Sequence, residues 1–411
     1  MVPSPPFLLS LLAGLLGLLP AAAQVSFERL GPAQGMPQST LHALHQDRAG
    51  FLWMATRDGL NRYDGQTFRT WRGAPDQPGS LGSSDVSVVG GDRAGRTWVG
   101  TINGGLYYLN PDGRTFTHFP LTTTGADVSR RTINCLAEAA DGRIWAATAG
   151  QGWLIADART GRVEEFRLGN AAEHPQVIGH LADRDGSLWF GLEGGLLVHF
   201  PRGADRPATF RLPGRAPTAR EATVTAIFRD RRGNLWVGSR SGGLYRLREA
   251  AGQFEPVYRE PGVAGKGNFV KCLAEDRQGT LWVGTDDGIR LLPGGDPRRV
   301  VALHPNPADP HSLATHPIQC LLTDREGNVW VGTWEGGLHV AYAEPPRFEA
   351  VGDQQGASRS GPPPKTTALA LDPAGELWAG SVRGISRFTA GQGPNAPAGT
   401  LVPVTPPVSP G

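Results

Sequence analysis

The chain has 411 residues, with 40 Lys and Arg against 38 Asp and Glu and a formal net charge of +2. The basic residues are nearly all Arg, scattered through turns among similar numbers of acids. A nucleic-acid binder would gather them into a stripe, so no nucleic-acid partner is expected.

Residues 1–23 stand apart. Pro6 to Leu19 is an apolar run that leads into Pro20-Ala21-Ala22-Ala23-Gln24, a small-residue cleavage signal. The run is short for a membrane span, which needs about 20 residues. The expectation is a secretory signal cut after Ala23, with an uncleaved anchor as the alternative. The mature chain is then secreted or periplasmic.

From there the chain repeats itself. Eight tryptophans head equivalent motifs: Trp53, Trp98, Trp145, Trp189, Trp236, Trp282, Trp330 and Trp378, at spacings of 44 to 48 residues. A Gly stands three places before each, and an Asp six places before seven of them. The third copy has Ala139 there and offers Asp141 instead. The 57 Gly and 35 Pro exceed the usual share, but they recur at fixed offsets from these tryptophans and so are turn residues.

One unit shows the physics. Val224 to Asp230 is rich in β-formers, and the Asp-x-x-Gly after it suits a tight hairpin, with the carboxylate accepting from nearby amides and Gly supplying a positive φ. Leu235 to Ser239 returns as a second strand, Gly242-Gly243 turns the chain, Leu244 to Arg248 is a third strand and Gln253 to Tyr258 a fourth. Four short antiparallel strands per repeat predict a β-propeller blade. Gly and Pro interrupt every possible helix. Cys135, Cys272 and Cys320 each lie ten residues before a motif tryptophan, where other copies hold Ala43, Val88, Gly179, Ala226 and Ala368. The cysteines therefore read as small packing residues and free thiols.

The pattern Asp-x-x-Gly-x-Leu-Trp-Val-Gly-Thr-x-x-Gly-Leu, with Asp76 to Leu81 and Asp309 to Leu313 between units, resembles the two-component regulator propeller repeat. Phe27 to Gly65 resembles its usual first blade, and the likeness runs from Val25 to about Phe388. It implies an all-β propeller that serves as a periplasmic sensor module of a hybrid histidine kinase or diguanylate cyclase. The partner it implies is a membrane-bound kinase or cyclase, or the remainder of a receptor, whereas a small polar ligand or oligosaccharide is suggested by the polar residues and the tryptophan of the variable face described below.

Domain organisation follows: a signal at 1–23, a seven-bladed propeller over 24–343, an orphan blade over 344–390 that opens a second propeller, and a Pro-rich disordered tail at 391–411. An eight-bladed ring that uses Trp378 is the rival. Val25 to Leu30 resembles a fourth strand without its own blade and is expected to close the ring, and Pro345 to Val351 has the same look.

No catalytic constellation, cofactor motif or metal set stands out. His304, His311 and His316 share one loop, but their spacing fits no zinc pattern. A sensor is therefore expected rather than an enzyme, with a protein-docking platform or a propeller lyase or hydrolase as alternatives. In an up-and-down blade, the loop entering the first strand and the loop between the second and third strands share a face, opposite the repeated Asp-x-x-Gly turns. That variable face carries Arg57, Asp58, Asn103, Gln151, Glu193, Arg240, Asp286, Asp287, Trp334 and Glu335 in the second-to-third-strand loops. His42, Ser87, Asn134, Thr225, Lys271 and Gln319 stand just before the small position of the first strands. These are the candidate ligand-binding residues, with Trp334 as a stacking surface.

Overall fold

The Asp-x-x-Gly turns and Trp-bearing strands assemble into four-stranded antiparallel sheets. The computed structural model describes residues 25–344, apart from 33–34, 120–130, 151, 169–174, 205, 214–221, 261–266 and 310, and residues 366–404, apart from 373–375, 382–383 and 390–399. The signal reading at 1–23 and the strand-like Pro345 to Val351 lie outside the described residues. The chain divides into two units, Met1–Ala343 and Glu344–Gly411.

The first unit is a β-propeller of seven four-stranded blades. Blade five follows the sequence closely, with strands Val224–Arg229, Leu235–Ser239, Leu244–Arg248 and Gln253–Tyr258. The innermost strands, Leu41–Gln46 in blade one through Ile318–Thr323 in blade seven, pack side by side around the axis, and blade seven meets blade one. Closure comes from the first described strand, Glu28–Leu30, which pairs antiparallel with Leu338–Ala341 as the outermost strand of blade seven. Arg29 Nε adds a 3.0 Å bond to the Gly336 carbonyl, and Tyr342 donates to Glu28 at 2.7 Å. The ring closes at seven, which removes the eight-bladed rival.

The repeated aspartate does more than cap a turn. In blade five one oxygen of Asp230 accepts from the backbone N–H of Asn234 at 2.8 Å, and the other accepts from the Trp236 indole at 2.9 Å. Asp47, Asp92, Asp276 and Asp324 hold Trp53, Trp98, Trp282 and Trp330 in the same way, at 2.7 to 2.9 Å. The Gly between them has positive φ in every blade of the ring, from 78° at Gly279 to 95° at Gly50, where an L side chain is strained. Each pinned indole fills the wedge against the next blade: Trp98 packs on Ile133 and Leu136 of blade three, and Trp282 on Ile318 and Val331 of blade seven.

The small position and the residue two places after the tryptophan are cross-strand partners; the latter is Ala in blades one and three and Gly elsewhere in the ring, as in Cys272 with Gly284 and Cys320 with Gly332. A methyl group on either Gly would collide with the facing sulfur, so the pair leaves no room for a larger side chain. All three cysteines are free, and burial pushes the Cys320 thiol up to about 12.

The second unit holds one four-stranded sheet: Thr366–Leu371, Leu377–Ser381, Gly384–Thr389 and Thr400–Val404. Its last strand corrects the expectation of a disordered tail from 391. Thr400–Val404 pairs along Ile385 to Thr389 despite Pro403, because an edge strand can leave one face of its hydrogen-bonding ladder unused.

Two tests follow from this architecture. Burial pushes His180 and His339 down to about 4, with the charge of Arg29 adding to the effect at His339. The unfolded chain takes up these protons first, from about pH 6.5 downward. The stability they contribute is therefore complete above that pH and is lost as the pH falls toward 4. Melting temperature should hold from pH 8 to 6.5 and then decline, and His339→Gln should flatten the decline. Separately, a chain ending at Ala343 should melt cooperatively and without loss of melting temperature, whereas removal of residues 25–30 should lower it.

Candidate functional site

Every innermost strand of the ring carries a one-residue bulge at the same place. The register shifts between Leu41 and Ala43, Val86 and Val88, Ile133 and Cys135, Val177 and Gly179, Val224 and Ala226, Val270 and Cys272, and Ile318 and Cys320. The skipped residues are His42, Ser87, Asn134, Ile178, Thr225, Lys271 and Gln319. A bulge re-aims the side chain it carries, and here several of these side chains reach the next blade. Asn134 Nδ2 donates to the Val177 carbonyl at 3.0 Å, and Lys271 Nζ donates to Gln319 Oε1 at 3.2 Å. Ser87 and Thr225 donate to the carbonyls of Ile133 and Val270.

The second-to-third-strand loops join these residues on one face. Their first N–H groups donate to carbonyls just before the innermost strands: Ile102 to Asp85 at 2.8 Å, Glu193 to Gln176 at 3.0 Å, Arg240 to Thr223 at 3.0 Å and Trp334 to Pro317 at 3.2 Å. The mouth of the ring is built from this repeated bond.

Two groups of candidates come together there. At the joint of blades seven and one, Trp334 is 37% exposed. The Arg57 guanidinium lies 5.9 Å from its ring centroid, and the His42 ring meets it edge-on at 6.2 Å. His42 Nε2 faces Asp85 at 3.4 Å. Burial holds His42 below its usual pKa and outweighs the opposing pull of Asp85. Glu335 is exposed beside Trp334. Across blades four to six, Gln176, Ile178, Glu193, Thr223, Thr225, Arg240 and Phe269 line a cavity of about 310 Å³. The Arg240 guanidinium lies 4.7 Å from the Phe269 ring centroid, and Lys271 Nζ lies 5.0 Å from it on blade six. Burial lowers the Lys271 pKa. Glu193 and Arg240 have no ion pair among the described residues.

Other candidates are committed elsewhere. Asp58 is held by Arg72 through contacts of 2.7 to 3.0 Å, which lowers its pKa. Asn103 is tied to Thr132 at 3.1 Å, Asp286 accepts from the Gly267 amide at 2.9 Å, and Asp287 pairs with buried Arg290 at 3.1 Å. Gln151 lies outside the described residues. Asp85, Gln176, Ile178, Thr223 and Phe269 were not singled out from sequence. Asp85, Gln176, Thr223 and Phe269 occupy the loop position before their innermost strands, each three places ahead of the small residue. Ile178 is the one large apolar residue among the bulges.

Residues 220–241, 264–287 and 312–335 match the family model described as Two component regulator propeller. The chain carries two-component regulator propeller repeats. A 55-residue stretch is 42% identical to Histidine kinase P4 of Formosa agariphila, covering 13% of this chain and 4% of that protein. Among solved structures, the extracellular domain of a hybrid two-component system from B. thetaiotaomicron superposes with a TM-score of 0.65 at 21% identity, over 89% of this chain and 53% of that one. A virginiamycin B lyase from Staphylococcus aureus gives 0.60 at 13% identity, over 77% of this chain and 99% of that one. At these identities the structural likeness establishes the fold. The chain spans about half the length of the extracellular domain that it matches. Among the described residues no helix is long and apolar enough to cross a membrane.

The two tryptophans of blade seven separate mouth from core. Trp330 is pinned by Asp324 and packs against blade one, so Trp330→Ala should destabilise by about 3–5 kcal/mol. Trp334→Ala removes a half-exposed ring that fills no core cluster and should leave the denaturation midpoint nearly unchanged. Urea unfolding of both variants distinguishes them.

Proposed function

We propose that the ring is the extracytoplasmic ligand-sensing module of a two-component-type or diguanylate-cyclase receptor, and that its mouth binds an oligosaccharide. One observation carries this reading: the same face presents two aromatic rings, Trp334 and Phe269, each with an arginine close to its ring. Aromatic faces take the C–H surface of sugar rings, and the groups around them supply directional bonds to hydroxyls. His42 and Glu335 flank the first ring, and Gln176 and Glu193 line the cavity beside the second. The Trp334 and Phe269 groups sit on loops of different blades, which favours an extended ligand over a single small ring. Export through the leader at 1–23, with the mature chain starting at Gln24, belongs to the same reading. So does delivery of the signal to a membrane-bound kinase or cyclase.

A ligand that binds only the folded ring must raise its melting temperature. A panel of neutral and acidic oligosaccharides screened by thermal shift should contain at least one stabiliser. Trp334→Ala should weaken binding of that sugar by about 1.5–3 kcal/mol in calorimetric titration. A stabiliser that Trp334→Ala and Phe269→Ala both bind as tightly as the parent removes the mouth as its site.

A further inference from the structure

Blade three breaks the repeat at one point, and the structure opens there. Ala139 stands where the other blades of the ring place the aspartate. Trp145 has the same register as its counterparts, opposite Ala137 as Trp53 is opposite His45. In five other blades the indole donates to a carboxylate at this position. Here a methyl group replaces the carboxylate, and no described residue accepts from the Trp145 indole. Trp145 is only partly buried.

Around it lies a groove of about 600 Å³ between blades three and four, on the face opposite the mouth. Its floor is aromatic. Trp145 sits 4.7 Å from Phe200 and 5.4 Å from Phe166, between ring centroids, with Ile155 and Leu188 beside them. On the blade-three wall, Arg143 is already held by Asp141 at 2.7 Å and by Glu164 at 3.3 Å. On the blade-four wall, Arg202 is exposed and forms no ion pair with any described residue. The corresponding space over blade five is closed, because the Gly294-Gly295 turn of blade six lies on Trp236 and a methyl at Gly295 would sit 2.8 Å from that ring.

We propose that this groove is a second binding site, and that it takes a planar aromatic carboxylate. The ring stacks on the Trp145–Phe200 floor, an acceptor on the ligand takes the free indole N–H, and the carboxylate pairs with Arg202. The volume falls within the range of small-ligand pockets, about 300–1,000 Å³. Aromatic stacking supplies contact, the Arg–carboxylate pair supplies orientation, and the indole N–H gains the acceptor it lacks. This site is independent of the mouth and of the sensing role proposed for it.

The test uses the full chain with 15N-labelled tryptophan indoles and 4-hydroxybenzoate as the probe. Trp145→Phe assigns the Trp145 N–H signal. That signal should shift saturably with 4-hydroxybenzoate while the Trp330 signal stays in place. Arg202→Gln should weaken binding by about tenfold, and the uncharged 4-hydroxybenzamide should bind the parent correspondingly weakly. Ala139→Asp restores the repeated carboxylate. It should leave the fold intact, move the Trp145 N–H toward the positions of its bonded counterparts and abolish the response to the probe. The proposal is overturned by no saturable shift at millimolar probe, by equal affinity for acid and amide, or by unaltered binding in Ala139→Asp.

Discussion

In five of the seven blades a single carboxylate fastens two levels of structure at once. One oxygen closes the hairpin between the first two strands, and the other pins the indole that fills the wedge against the neighbouring blade. Each bond has a charged acceptor, for which the net contribution is about 1.5–3 kcal/mol. Under the buried tryptophan they act together, because an unmet indole N–H in that setting bears its full desolvation cost. The two blades that lack the bond compensate differently. In blade four, Asp183 accepts from Arg229 at 2.6 Å, and Trp189 stacks on His199 with ring centroids 3.7 Å apart. In blade three the loss is left open as the aromatic groove.

The opposite face depends on a different constraint. Directly after each bulge a small residue pairs with Gly, or with Ala in blades one and three, so that the two strands meet closely there. The bulged side chain is then turned along the innermost strands, where Ser87, Asn134, Thr225 and Lys271 bond to the next blade. The residue at that point is therefore free to vary: histidine, serine, asparagine, isoleucine, threonine, lysine and glutamine all occupy it. A scaffold fixed by Asp, Trp and Gly on one side thus carries variable chemistry on the other.

The fold was largely legible in the sequence because its determinants are local and repeat seven times. The hairpin turn, the glycine with positive φ and the small packing position each follow from a few neighbouring residues. Val25 to Leu30 was recognisable as a closing strand because it lacked a blade of its own. The site was less legible. Asp58 and Asp287 look like free mouth carboxylates, yet Arg72, at the end of the last strand of the same blade, and Arg290, three residues on, hold them. Phe269 and Gln176 line the mouth from a repeated position three places ahead of the small residue, two ahead of the bulged position on which the sequence reading rested. The tail was misread for a similar reason: Pro403 argues against a strand, unless the strand lies at an edge.

The clasp that closes the ring is three residues long, while every other blade is joined to the next by continuous chain. A ring can open most readily where hydrogen bonds alone hold it, here between Glu28–Leu30 and Leu338–Ala341, and release of that clasp would part blade seven from blade one. Arg57 and Trp334 face each other across the same joint. A molecule gripping both would bridge the seam from the mouth while Glu28–Leu30 holds it from the rim. Occupancy would then be felt as mechanical reinforcement, slowing the breathing of the whole ring at its weakest hinge.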